Sequence, residues 1–389
     1  MRVGFVMMET VTGGAGNNQL LYFTSSSVTD DALVYMSDAT GHPNLFCRDL
    51  RMGAVRQLTK NADGYMKSYV YFDGTPYTGF AKASPALDVR NRLVYYIQGL
   101  EVRCVDFAGN ERVVTRLPAG QMTGFTHVSA DGTLLCVPTF DEAAFDGFVP
   151  GKSVAESIDD RVRVEGLSSC LRVFDTKTGE EVLCERVPLC WITHVQFSPV
   201  DNTKILYNHE WPRDCGIRRM WLFDGQKHIR LRTEGDGRKR EDWTCHEMWQ
   251  ADGAYIIYHG GYADGTAYIG RVRADGTGNI EIALPPHFQS YGHFTSGNCH
   301  SDWLVCDGYY QEGTDVDPEV KSEWISAQVV DWDKRTIMWV PLARHGSSWG
   351  SQDAHPHPIF GRGDSKIYFT TDISGKREVC AVDTAAVGI

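Results

Sequence analysis

Long apolar runs are absent from this sequence, and none approaches the ~18–20 residues a membrane span needs. The start, Met1-Arg2-Val3-Gly4-Phe5-Val6-Met7-Met8-Glu9, has too short an apolar stretch for a secretory signal, and no small-residue cleavage site follows. A cytoplasmic protein with no membrane partner is the expectation. Positive charge is scarce as well: 38 Lys+Arg stand against 50 Asp+Glu, a formal net charge of −12. That balance argues against nucleic acid as a partner, because such affinity comes from Lys and Arg on phosphates. It leaves room for a small anionic substrate, for which one local basic pocket suffices. Close cysteine pairs are missing too. The eleven Cys run from Cys47 to Cys380 without a C-x-x-C, so zinc ribbons and redox pairs are excluded. Several lie inside apolar runs, as in Leu134-Leu135-Cys136-Val137, and read as reduced core thiols. There is no GxSxG elbow, no Gly-rich phosphate loop and no HExxH, since His246-Glu247 lacks a second His four residues on. No amphipathic helix of three turns stands out.

What the chain does have is apolar material, with 42 % hydrophobic and 11 % aromatic residues, and a repeat of about fifty residues. Each unit reads as a short apolar strand, a tight polar turn, a β-rich strand, a loop, a third strand ending in Asp, and a fourth strand. The second strands are Asp31-Ala32-Leu33-Val34-Tyr35, Arg92-Leu93-Val94-Tyr95-Tyr96 and Thr133-Leu134-Leu135-Cys136-Val137. They continue as Lys204-Ile205-Leu206-Tyr207, Ala254-Tyr255-Ile256-Ile257-Tyr258, Trp303-Leu304-Val305-Cys306 and Lys366-Ile367-Tyr368-Phe369. The third strands end at Asp49, Asp106, Asp175, Asp224, Asp275, Asp331 and Asp383. Asp-Gly pairs such as Asp131-Gly132 and Asp252-Gly253 mark hairpin turns.

Seven copies of a four-stranded unit predict an all-β fold, a seven-bladed β-propeller spanning 1–389 as one domain. Inserts at Asp141–Gly166 and Tyr309–Glu323 should form loops on one face. The last repeat runs out near Asp383, so blade seven needs a strand from elsewhere. Arg2-Val3-Gly4-Phe5-Val6 has strand composition and is expected to close the ring.

Innermost strands line a propeller's channel, and several carry a histidine near the same point. The segments are Trp191-Ile192-Thr193-His194, Thr244-Cys245-His246-Glu247, Tyr291-Gly292-His293 and Ala354-His355-Pro356-His357, with His127 about two residues out of register. In a strand, residues i and i+2 share a side, so His355 and His357 could bind one ion together, with His293 added from the blade before. Arg219 could clamp a carboxylate. Trp349 could stack on a sugar, or plug the base of blade seven.

At these residues the sequence resembles the oligogalacturonate lyase family of pectin-degrading polysaccharide lyases. The stretches that carry the likeness include His209-Glu210, Arg219-Met220-Trp221, Cys245-His246-Glu247-Met248-Trp249 and His293 before Cys306-Asp307-Gly308. Ala343-Arg344-His345 with Ser348-Trp349, Gln352-x-x-His355-Pro356-His357-Pro358 and Thr371-Asp372-x-x-Gly375-Lys376 complete it. The likeness is strong over about residues 190–380 and limited to blade rhythm over 18–190. It departs in a shorter start, in Trp211 after His209-Glu210, and in the inserts of blades three and six.

The resemblance implies a cytoplasmic propeller that uses manganese, or another divalent cation, to cleave short galacturonides by β-elimination. It implies His293, Gln352, His355 and His357 as metal ligands, His246 as base and Arg219 as the arginine that binds substrate and steadies charge. His194, His209 and Trp349 are expected beside the substrate. Two alternatives stand next to this expectation: a lyase for another uronate-containing oligosaccharide, and a non-catalytic propeller that binds protein. The sequence does not specify the oligomeric state.

Overall fold

The computed structural model describes residues 7–62, 85–145, 161–162, 164–210, 219–232, 242–290, 292–311 and 323–385. Seven antiparallel sheets follow one another around a ring, and the fold is a seven-bladed β-propeller. Blades one to seven begin with the inner strands Asn18–Leu20, Ala86–Asp88, Gln121–Thr123, Val195–Phe197, Trp243–Trp249, Phe294–Ser296 and Ile359–Phe360.

The recurring Asp has a local cause. Asp49 Oδ1 accepts the backbone N–H groups of Arg51 and Met52, and Asp175 Oδ1 those of Lys177 and Thr178. Asp224 does the same for Gln226 and Lys227. The carboxylate thus closes the turn into the outer strand, which a short side-chain acceptor does best. Those bonds hold the Asp49 and Asp224 carboxyls below their ordinary range. The third strands of blades one, two, three, six and seven end at the expected Asp. Those of blades four and five stop earlier, at Phe223 and Val272. Gly132 shows why Asp-Gly is needed: its φ is +77°, and a Cβ there would overlap Asn91 and Asp88.

Neighbouring blades share apolar layers. Leu21, Val34 and Met36 of blade one meet Leu87, Val94 and Tyr96 of blade two. Val305 and Ile325 of blade six meet Phe360, Ile367 and Phe369 of blade seven. Each such buried side chain stabilises by about 1.5–3 kcal/mol, so blade-to-blade packing holds the ring together.

Blade seven is closed, as expected, by the N-terminal part of the chain, with the described pairing at Glu9–Thr10. Glu9–Thr10 pairs with the strand Glu378–Asp383, Glu9 opposite Ala381 and Thr10 opposite Cys380. The Val11 N–H donates to Val379 O at 2.8 Å, and the Val379 N–H donates to Thr12 Oγ1 at 2.8 Å. Arg2–Val6, the expected segment, lies outside the described residues.

The inserts are not purely loops. Glu142–Phe145 forms a 3-10 turn, and residues 161, 162, 164 and 165 are helical. Tyr309–Tyr310 pairs with Phe288–Ser290, while 312–322 lies outside the described residues. Blade three has a divided inner strand, Gln121–Thr123 and His127–Val128, both paired with Leu134–Asp141. That division accounts for the register of His127, whose Nδ1 accepts the Phe197 N–H at 3.2 Å, away from the other histidines. All ten described cysteines are free thiols. No described helix is long and apolar enough to cross a membrane.

Candidate active site

Blades six and seven bring three imidazoles together. One nitrogen each of His293, His355 and His357 lies within 4.8 Å of the others. Ring centroids are 4.1 Å apart for His293 and His357, and 5.2 Å for His293 and His355. The expectation that His355 and His357 share one face of a strand is corrected here. A 3-10 turn, Gln352–Ala354, precedes them, and the strand begins only at Ile359. His357 has φ +47°, a left-handed conformation that non-glycine residues rarely adopt. Backbone strain, rather than strand alternation, sets its direction. Gln352 opens the 3-10 turn, and its side chain lies outside the described part of the structure.

Asp307 organises this cluster. Its Oδ1 accepts the His293 N–H at 2.6 Å, and its Oδ2 accepts the His357 N–H at 3.2 Å. Oδ2 also lies 3.0 Å from His293 Nδ1. A carboxylate in that place fixes the proton on Nδ1 and leaves Nε2 as a ligand atom. Asp307 is fully buried, which pushes its carboxyl up, while His345 beside it works the other way. Gly292 has φ +73°, and a Cβ there would overlap Asp307 Oδ1. The glycine before His293 is therefore a packing requirement of the site.

His246, in blade five, sits where the pairing of its strand shifts between Cys245 and Met248, with φ +50°. The bulge re-aims its ring, whose centroid is 4.4 Å from that of His293. Nδ1 lies 3.1 Å from Gly292 O and 2.8 Å from His259 Nε2. A carbonyl can only accept, so Nδ1 carries the proton and Nε2 keeps a lone pair. Burial, and then the Arg219 guanidinium, pull this imidazole down to about 4, so it is neutral at neutral pH.

Arg219 is held on three sides. Nε donates to Glu247 Oε2 at 2.8 Å, Nη1 to Glu210 Oε2 at 2.8 Å, and Nη2 lies 3.0 Å from His194 Nδ1. Because Arg only donates, His194 Nδ1 accepts, and its Nε2–H points at the Tyr22 hydroxyl 3.0 Å away. Both nitrogens of His194 are thus engaged, which disfavours it as a base. His209 is buried beside Trp221, ring centroids 5.1 Å apart, and burial with nearby His228 and Arg230 pulls it down to about 3. Its surroundings are those of the blade-four sheet, not of the central imidazoles. Trp349, at φ +54°, lies 4.6 Å from the His355 ring and stacks on His293 at 6.1 Å.

Several neighbours escaped sequence reasoning. Glu210 and Glu247 directly follow His209 and His246, so acids next to those histidines were the signal, whereas Asp307 stands fourteen residues from His293 and gave none. Tyr22, Phe23 and His259 offered no such signal. Phe23 packs its ring 5.5–5.6 Å from those of His246, His293 and His357, a contact no local spacing reports.

Fold and site together define a β-propeller that gathers imidazoles and buried carboxylates across blades four to seven. The chain belongs to the oligogalacturonate lyase family, whose model matches residues 164–386. It is 29% identical over 223 residues to an oligogalacturonate lyase of Dickeya dadantii, covering 53% of this chain and 54% of that one. To an oligogalacturonide lyase of Pectobacterium atrosepticum it is 26% identical over 199 residues, 48% of each chain. The matches thus span about half the length of these curated relatives. Among solved structures, an oligogalacturonate lyase in complex with manganese aligns with a TM-score of 0.77 at 22% identity, over 98% of this chain and 94% of that one. An oligogalacturonate lyase from Vibrio parahaemolyticus aligns at 0.76 and 20%, over 97% and 93%. These likenesses show the propeller fold.

Proposed function

We propose that this chain is a metal-dependent lyase that cleaves short oligogalacturonides by β-elimination, with manganese as its ion. The observation that carries the reading is a neutral imidazole, His246, whose ring centre lies 4.4 Å from that of His293 in the His293–His355–His357 cluster. A proton acceptor and a set of neutral nitrogen ligands stand close enough to act on one sugar. Three imidazoles with Gln352 as a fourth, amide donor suit a divalent cation left with open positions, and the Asp307 bond to His293 Nδ1 presets the ligand nitrogen.

A bound divalent cation supplies positive charge to the uronate carboxylate beside C5 and makes the C5 proton more acidic. His246 Nε2 takes that proton. The electrons of the C5–H bond form the C4–C5 double bond, and the C4–O4 pair leaves with the departing sugar, whose oxygen is protonated from solvent. Nδ1–H, held by Gly292 O and His259, keeps the ring oriented and spreads the charge it gains. Arg219, fixed by two glutamates, contributes a preorganised positive charge near the reacting carboxylate. Trp349 offers an aromatic face to the sugar ring.

The direct test is ultraviolet absorbance of the conjugated product when the protein is mixed with oligogalacturonate. A rise that chelation abolishes and manganese restores supports the reading. No product from any oligouronide, with manganese present, contradicts it.

A further inference from the structure

Behind the proposed base lies a second group of ligand atoms. Cys245 Sγ and one nitrogen each of His246 and His259 lie within 4.8 Å of one another. The His246 nitrogen that faces His259 is Nδ1, and Gly292 O stands 3.1 Å from it. Cys245 pairs with His259 across the strands Trp243–Trp249 and Ile256–Gly261, and the bulge turns His246 toward the same place. Cys245 and His246 keep part of their surface exposed, while burial pushes the Cys245 thiol up to about 11, so a bound ion has to displace its proton. Arg219 is the nearby cation, and two carboxylates, Glu210 and Glu247, face it.

We propose that Cys245, His246 and His259, with the Gly292 carbonyl as a fourth donor, form an inhibitory site for a thiophilic divalent ion such as zinc. One thiolate, two imidazoles and an oxygen are a zinc donor set, and tetrahedral bonds of ~2.0–2.3 Å put ligand atoms about 3.3–3.6 Å apart. The 2.8 Å His246–His259 contact has to open by about 0.5–0.8 Å to reach that spacing. Binding replaces the thiol proton, which leaves to solvent, and forms a metal–sulfur bond. It also claims His246 Nδ1, so the proton now there moves to Nε2. The lone pair that accepts the C5 proton is then gone. Zinc at this site stops turnover through the tautomer of the base, without touching the His293–His355–His357 cluster. This second half rests on His246 being the base.

Zinc also competes with manganese for imidazoles, so the test must separate the two sites. Wild type and Cys245→Ala, each saturated with zinc and dialysed, are compared by metal analysis. Cobalt-loaded samples are compared by near-ultraviolet thiolate-to-cobalt charge transfer. The expected result is one equivalent more zinc in wild type, and a charge-transfer band that Cys245→Ala lacks. Equal stoichiometry, or a band unchanged by the substitution, overturns the site whether or not the protein is a lyase. In excess manganese, the zinc concentration that halves turnover should rise at least roughly tenfold in Cys245→Ala, since even outer-shell partners contribute that much to metal affinity. Zinc held at Cys245 with undiminished turnover overturns the inhibitory half.

Discussion

Blades one to three and blades four to seven are built on the same four-stranded frame, yet their central ends differ. In the first arc the chain presents apolar rings: Tyr22 stacks on Phe125 at 3.5 Å between centroids, and Phe23 packs against imidazoles from the far side. In the second arc it presents His194, His246, His293, His355 and His357, with Asp307, Glu210 and Glu247 behind them. Backbone conformation separates the arcs as well. Of the seven described non-glycine residues with positive φ, three are His246, Trp349 and His357, all in the second arc's site. The fold needs only the rhythm of strands and Asp turns, whereas the site needs residues bent out of that rhythm. The first arc acts as the wall against which the second arc's rings are held.

Charged pairs in the two arcs should respond very differently to truncation. Arg219→Ala leaves Glu210 and a Glu247 side chain that is 1% exposed without their guanidinium. Stripping one partner from a buried pair costs about 3–5 kcal/mol, which a urea midpoint will register. A loss below ~1 kcal/mol would mean that the network is solvated and the contrast between the arcs false. Asp307→Asn comes next. It keeps the shape but weakens the bond that sets the His293 tautomer, and manganese affinity by titration should fall ~10–100-fold.

A smaller effect concerns pH. Burial holds the His209 imidazole at about 3, against ~6.5 unfolded. Between those values only the unfolded chain takes up the proton. The stability from this group is therefore complete above ~6.5 and falls as the pH drops toward 3. Tm should decline through that window, and less steeply in His209→Gln. An unchanged slope would place His209 in solvent. The smallest response belongs to the first arc. Arg116→Ala removes the Arg116–Glu101 pair of blade two, where the arginine is 71% exposed, and should change stability by no more than ~1 kcal/mol.

The same contrast decides what could be read from the sequence. Asp49, Asp106 and Asp175 recur because each closes a turn inside its own blade, so local spacing reveals them. The histidines were legible because each sits just before or within an inner strand, as His194 does before Val195–Phe197 and His293 before Phe294–Ser296. Orientation was not legible. His355 and His357 converge through a 3-10 turn and a left-handed residue, which spacing alone reads as a strand. His209 matches its family motif yet packs on Trp221, because its direction depends on tertiary neighbours. Tyr22 meets His194 across 172 residues of chain, a contact made only when the ring closes. For the closing strand the sequence reveals only that it is N-terminal: the described pairing joins Glu9–Thr10 to Glu378–Asp383, while Arg2–Val6 lies outside the described residues.

On the proposed function, ion binding and proton abstraction fall to different histidines of the second arc. Metal content and turnover of oligogalacturonate, measured side by side on His246→Ala and His355→Ala, test it most directly. His246→Ala should keep its manganese and lose ~10²–10⁴ in kcat, while His355→Ala should lose both. Loss of the ion from His246→Ala, or unchanged metal content and turnover in His355→Ala, would contradict it.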